Sequence, residues 1–165
     1  MERLWSPWRM AYLEAVHGDD DRCFLCVAAE AGPADDERLY VLARSARSFV
    51  VLNAFPYNPG HLMVAVNRHV GELEELGADE MADASALLQR SVPALKRVSN
   101  PDGFNIGLNL GRVAGAGVPG HLHWHVVPRW NGDTNFVTVV GETRVLPELL
   151  AAAYSKLRPA FASVT

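Results

Sequence analysis

The stretch Gly120-His121-Leu122-His123-Trp124-His125-Val126-Val127-Pro128-Arg129-Trp130 decides how this chain is read. Three of the chain's six histidines stand at alternate positions in an apolar run. A strand repeats every two residues, so His121, His123 and His125 are predicted to share one face, with Leu122, Trp124 and Val126 on the other. Three imidazoles on one surface suit a metal site, or a site that handles protons and negative charge near neutral pH. A neutral imidazole can also attack phosphorus as a nucleophile. The competing reading, a strand with ordinary core or surface histidines, fits one histidine better than three in strict alternation. Spacing alone leaves metal and phosphorus chemistry both open, since His-x-His is also a common zinc pair.

The residues just before the strand favour an anionic ligand. Asn109-Leu110-Gly111-Arg112-Val113-Ala114-Gly115-Ala116-Gly117-Val118-Pro119-Gly120 feeds directly into His121. Glycines let the backbone approach a ligand and turn N–H groups toward anionic oxygens. Asn109 can donate to a phosphate oxygen, and Arg112 adds charge.

Working further outward, Leu39–Ala43, Ser48–Asn53, His61–Val66 and Phe104–Leu110 read as strands, with a fifth at His121–Pro128 and a short one at Val137–Val140. Residues 73–98 keep helical spacing through Met81, Ala84, Leu87, Leu88, Val92 and Leu95. Asp79 is a candidate cap, and Pro93 predicts a kink or break. A docking helix is expected over residues 1–16 and another over Pro147–Leu157. Strands in antiparallel-looking runs around one central helix give an α+β class.

The totals are those of a globular protein. The chain has 165 residues, 49% apolar and 21% charged, with a formal net charge of −4. One domain is expected at this length. No basic tract is present, so bulk nucleic-acid or membrane-surface binding is not expected. No apolar run reaches membrane-spanning length and the first residues lack a signal-peptide core, so the expectation is a cytoplasmic protein. The two cysteines, Cys23 and Cys26, stand two residues apart. That spacing suits half of a zinc site, a redox pair or a reduced buried pair better than a structural disulfide.

His121-Leu122-His123-Trp124-His125-Val126-Val127 resembles the signature of the histidine triad (HIT) superfamily: three histidines separated by single apolar residues, then two more apolar residues. Asn53-Ala54-Phe55-Pro56-Tyr57-Asn58-Pro59-Gly60-His61-Leu62-Met63-Val64 is similar to the family's ribose-meeting loop and strand. Gly103-Phe104-Asn105-Ile106-Gly107-Leu108-Asn109 is similar to its phosphate-binding strand. Together these cover about residues 38–130 in the family's order. Leu4-Trp5-Ser6-Pro7-Trp8-Arg9-Met10, Tyr57-Asn58-Pro59-Gly60-His61 and Pro128-Arg129-Trp130 further resemble a bacterial branch related to dinucleoside-polyphosphate hydrolases and diadenosine tetraphosphate phosphorylases.

The resemblance implies a single domain over residues 1–165, with an N-terminal helix and zinc-knuckle segment at 1–37, a core at 38–140 and a C-terminal helical extension at 141–165. It implies a five-stranded or slightly extended antiparallel sheet with a central helix and flanking terminal helices, paired in a homodimer. It implies nucleotidyl hydrolysis or transfer on dinucleoside polyphosphates or related nucleotide conjugates through a nucleotidyl-histidine, with no metal needed for the chemical step. Phosphorolysis of diadenosine tetraphosphate is one alternative, a non-catalytic nucleotide sensor a second, and a zinc hydrolase using the triad as ligands a third.

By the same resemblance, His123 would be the nucleophile, His125 would bond the phosphate or leaving group, and His121 would orient its neighbours. Asn53 would meet the ribose, His61 would stand behind the triad, Asn109 would contact phosphate and Trp130 would lie near the substrate. Many relatives carry a glutamine, serine or threonine just before the first histidine. Here Ala116-Gly117-Val118-Pro119-Gly120 offers only backbone N–H groups, Gly117 among them. Zinc-containing relatives complete a cysteine pair with the histidine after the third strand and the first triad histidine, which here are His69 and His121. The implied metal is a structural zinc on Cys23, Cys26, His69 and His121. His17 has no partner in this scheme.

Overall fold

The computed structural model describes residues 22–133 and 148–163. The expected helix over residues 1–16, His17 and the short strand at Val137–Val140 lie outside the described residues.

Five strands form one antiparallel sheet: β1 Val41–Arg44, β2 Ser48–Leu52, β3 Leu62–Val66, β4 Gly103–Leu108 and β5 His123–Arg129, in the order β1-β2-β3-β5-β4. Among the described residues three α-helices accompany them: α1 Phe24–Glu30, α2 Ala78–Ser99 and α3 Leu150–Ala162. The α+β class and the five-stranded sheet are as expected from the sequence. Among the described residues, no helix is long and apolar enough to cross a membrane.

Alternation sorts the strands into two faces. Val50 and Leu52 of β2, Leu62, Val64 and Val66 of β3, and Trp124 and Val126 of β5 belong to one buried cluster, with Leu87, Ala94 and Leu95 of α2 and Leu157 and Phe161 of α3. The intervening Phe49, Val51, Met63 and Ala65 form a second cluster with Leu25 and Ala28 of α1. Burying each large apolar side chain contributes about 1.5–3 kcal/mol, so two packed layers stiffen the strands that carry the histidines.

Two local expectations are corrected. α2 runs unbroken through Pro93, which predicted a kink or break. Pro93 and Gln89, whose carbonyl loses its partner, are both exposed, so water can satisfy that carbonyl. Ala84, Leu87, Ser91, Ala94 and Leu95 meanwhile bury the inner face on both sides of it. The residue before α2 is Gly77, not Asp79, and its N–H donates to Glu80 Oε2 at 2.9 Å. Asp79 lies in the first turn, where it pairs with Arg47 at 2.7 Å and complements the helix dipole. The cysteine segment opens α1: Cys23 stands at the N-cap position without a side-chain bond to the helix, and Cys26 sits in its first turn.

Candidate functional site

β5 begins at His123, paired with Ala65 of β3, and two residues on His125 pairs with Met63 and Gly107. Their rings meet edge to face at 5.0 Å. His121 lies just before the strand and is fully buried, held by its neighbours' backbone: Leu122 N–H donates to the Val70 carbonyl at 2.7 Å. All three histidines therefore sit on or beside one strand, with Leu122, Trp124 and Val126 on the helix-covered face.

Main-chain partners set the proton position on each ring. The Tyr57 N–H donates to His61 Nδ1 at 3.0 Å, so His61 carries its proton on Nε2. That N–H donates to His125 Nδ1 at 3.0 Å, which leaves the His125 proton on Nε2. His125 Nε2 is buried with no hydrogen-bond partner among the described residues. His123 Nδ1–H donates to the His121 carbonyl at 2.8 Å, so the lone pair of His123 is on Nε2. His121 Nε2–H donates to the Val66 carbonyl at 2.7 Å, so its lone pair is on Nδ1. Asn53 Nδ2 lies 3.4 Å from His61 Nε2, a donor beside a donor and so a contact rather than a bond. Asn53 Oδ1 accepts from the Phe55 N–H at 2.8 Å.

Burial keeps these rings neutral. It lowers the pKa of His121 and of His123. His125 falls to about 4, first through burial and then through the neighbouring His123. One strand thus presents a nucleophilic lone pair at His123 and an N–H donor two residues later.

His125 opens into a groove of about 540 Å³ lined by Tyr57, Asn58, Asn105, Gly107, Asn109, Val127 and Arg129. Asn109 lies just past β4 and contacts the Gly115 carbonyl at 3.5 Å. Gly117 is exposed, and a side chain there would meet nothing within 4 Å. Trp130 is placed elsewhere: it lines a second cavity of about 360 Å³ with Leu95, Val98 and Leu157, and its Nε1–H donates to the Ser99 carbonyl at 3.3 Å. Tyr57 and Asn58 form the wall shared by both cavities.

The His121 lone pair points at the cysteines. Nδ1 lies 3.5 Å from Cys23 Sγ and 3.4 Å from Cys26 Sγ, and His69 Nδ1 lies 3.1 Å from Cys26 Sγ. All four ligand atoms fall within 4.8 Å of one another. Bonds of about 2.0–2.3 Å in a tetrahedron give ligand separations of roughly 3.3–3.8 Å, so the four are positioned for one metal ion. Burial, and then the neighbouring Cys23, push the Cys26 thiol up to about 11, a load that a bound cation reverses.

Two glycines allow this closure. A Cβ on Gly71 would stand 2.8 Å from the Pro119 carbonyl oxygen, and one on Gly120 would stand 3.2 Å from His69 Nε2. The sequence reading missed this crossing. It also missed the clamp at the far end of the groove, where Asp133 holds Arg129 and Asn58. The signal was the Asn131-Gly132-Asp133 turn, which reads as turn chemistry alone.

Comparison with known proteins agrees with this geometry. The HIT domain family model matches residues 37–132. An AP-4-A phosphorylase from Mycobacterium tuberculosis is 47% identical over 154 residues, covering 91% of this chain and 79% of that protein. The asymmetrical bis(5'-nucleosyl)-tetraphosphatase of Schizosaccharomyces pombe is 32% identical over 93 residues, covering 56% of this chain and 50% of that protein. A solved Zn-bound histidine triad family protein from Mycobacterium smegmatis superposes with a TM-score of 0.67 at 28% identity, covering 85% of this chain and 93% of its own.

Proposed function

This chain belongs to the HIT domain family, and from that premise we propose an enzyme that hydrolyses or transfers the nucleotidyl group of dinucleoside polyphosphates, with His123 as its nucleophile. The observation that carries the reading is the placing of protons on β5: a lone pair at His123 Nε2 and, at His125 Nε2, an N–H with no partner among the described residues. His123 Nε2 attacks the phosphorus that bears the nucleoside. A P–N bond forms and the bridging P–O bond breaks, its electrons passing to the leaving oxygen. His125 Nε2–H hydrogen-bonds to that oxygen. The His123 ring becomes cationic, and the His121 carbonyl stabilises it through the Nδ1–H bond. An acceptor oxygen then attacks phosphorus, the P–N bond breaks and neutral His123 returns.

The acceptor proposed is inorganic phosphate, in keeping with the relative named for phosphorolysis at 47% identity. Diadenosine tetraphosphate would then give ADP and ATP, whereas water as acceptor gives AMP and ATP. Product analysis with and without phosphate decides between them. Mass spectrometry of the enzyme quenched in alkaline denaturant, where a P–N bond survives, should find one adenylyl group on the His123 peptide; a non-catalytic sensor forms no such adduct. Asn53 would meet the ribose and Asn109 and the Gly117 N–H the phosphates, while Trp130 would act from the neighbouring cavity.

The metal proposed for Cys23, Cys26, His69 and His121 is zinc, which suits two thiolates and two imidazoles. Four protein ligands leave no open position for substrate, so its contribution is to tie α1 to the segment leading into β5. A homodimer and a cytoplasmic setting complete the proposal. Among the described residues β4 is the last strand of the sheet, with Ile106 48% exposed, which supports pairing of copies there, and sedimentation tests it.

A further inference from the structure

The groove does not end at the histidines. Its floor continues along one face of β5 from His125 through Val127 to Arg129, with Gly107 and Asn105 of β4 beside the first two. Nothing lies within 4 Å of a Cβ built on Gly107, so the floor is open opposite His125. Four steps along the strand take His125 to Arg129, about 13 Å.

Arg129 is held rigidly there. Its Nε and Nη2 donate to Asp133 Oδ2 and Oδ1 at 2.5 and 2.8 Å, and its Nη1 donates to Asn105 Oδ1 at 2.7 Å. Asn58 Nδ2 adds a bond to Asp133 at 2.8 Å, and the Trp130 N–H one at 3.3 Å. The Arg129 hydrogen bond holds the Asp133 carboxyl far below the usual carboxylate range, so the clamp stays ionised. Three of the five guanidinium N–H groups are used, and the side chain is 43% exposed. The remaining donors are fixed in direction, the arrangement that suits phosphate oxygens.

The order along the strand gives the groove its use. In phosphoryl transfer the leaving oxygen departs roughly in line with, and opposite to, the nucleophile. A group leaving away from His123 passes over His125 and runs toward Arg129. The nucleoside would take the other flank of β5: Asn53 and His61, just past β2 and just before β3, lie on the side of β5 away from β4.

We infer that the His125–Arg129 groove seats the leaving half of the substrate, with Arg129 and Asn105 binding the phosphates beyond the scissile bond and so selecting long polyphosphate leaving groups. This rests on the functional reading above. A single amino group leaving from an adenylyl phosphorus stays at His125, whereas a triphosphate-linked nucleoside spans the distance to Arg129.

Calorimetry on Arg129→Ala and Arg129→Lys, with inorganic tripolyphosphate and AMP as separate probes, tests the inference without turnover. Tripolyphosphate affinity should fall about 10–100-fold relative to AMP affinity in Arg129→Ala, with partial rescue in Arg129→Lys. Equal losses for both probes make the clamp structural and overturn the inference, as does no loss for either. In kinetics, kcat/KM for diadenosine tetraphosphate should fall through KM by about tenfold or more relative to that for adenosine 5'-phosphoramidate. A wild-type enzyme that turns over neither compound refutes the functional reading, while an unchanged ratio in an active enzyme refutes only this inference.

Discussion

The two faces of β5 are written in alternate letters of one seven-residue strand, yet they are held to different standards. Trp124 and Val126 pack under α2 and α3 among apolar neighbours. His123 and His125 look the other way: His123 Nδ1 donates to a carbonyl, His125 Nδ1 accepts from His61, and His125 borders the groove. The helix-covered face tolerates any good packing, because dispersion and burial are non-directional. The histidine face works only if each proton is on the right nitrogen, because its hydrogen bonds are directional. The apolar face therefore holds the strand still, and the polar face uses that stillness.

The sharpest way to break this comparison is to remove one side chain from each face. His123→Ala should lower turnover of diadenosine tetraphosphate by about 10⁴-fold or more, with no residual adenylyl adduct and a thermal midpoint close to wild type. Loss of folding in step with activity would show that the two faces are not separable. Leu95→Ala, on α2 in the cluster that covers the apolar face, should destabilise by about 2–5 kcal/mol in urea unfolding, since Leu95 is fully buried in the cluster that holds Trp124 and Val126. Its kcat, measured well below its melting temperature, should stay within about twofold of wild type. A large fall in kcat would mean that the packing layer takes part in aligning the histidines.

The metal-site residues belong to neither face alone, because His121 offers its ring to the cysteines and its carbonyl to His123. Cys26→Ala should therefore lose bound metal, read by elemental analysis, and lower kcat by about 10–100-fold with little change in KM. Metal loss with full kcat would cut the proposed link between the metal and the nucleophile's tautomer. His123→Ala should keep its metal, which separates this arrangement from a zinc hydrolase with the triad as ligands.

How far the site could be read in advance follows the same division. Period-two alternation exposed β5, because a half-buried strand must alternate. The cysteine pair announced itself by residue type, but His69 is 43 residues away and entered only through family resemblance. The tautomers were not legible, since they depend on the Val66 and His121 carbonyls and the Tyr57 N–H, and main-chain groups carry no letter in a sequence. α1 was missed because seven residues give too few turns for a 3.6-residue period to emerge. Asp133 was legible as a turn residue and not as the anchor of Arg129, because that role depends on Asn58, 75 residues earlier.

The smallest expected effect concerns protons rather than side chains. Burial first, and the adjacent His123 second, hold the His125 pKa near 4. Its unfolded value is about 6.5, so below that pH the unfolded chain takes up a proton that the folded chain refuses. The stability from neutral His125 is complete above about pH 6.5 and is lost as pH falls toward 4, on the order of 1–3 kcal/mol. Urea titrations at pH 7 and pH 5 should show that loss, and His125→Gln should reduce it. Activity should behave differently over the same range. A ring that stays neutral keeps its N–H on Nε2 and its acceptor on Nδ1, so kcat should hold from pH 7 to about pH 5. An acid limb centred near 6.5 would mean that His125 is solvated like a free imidazole, and the directional face would then be no stricter about its surroundings than the apolar one.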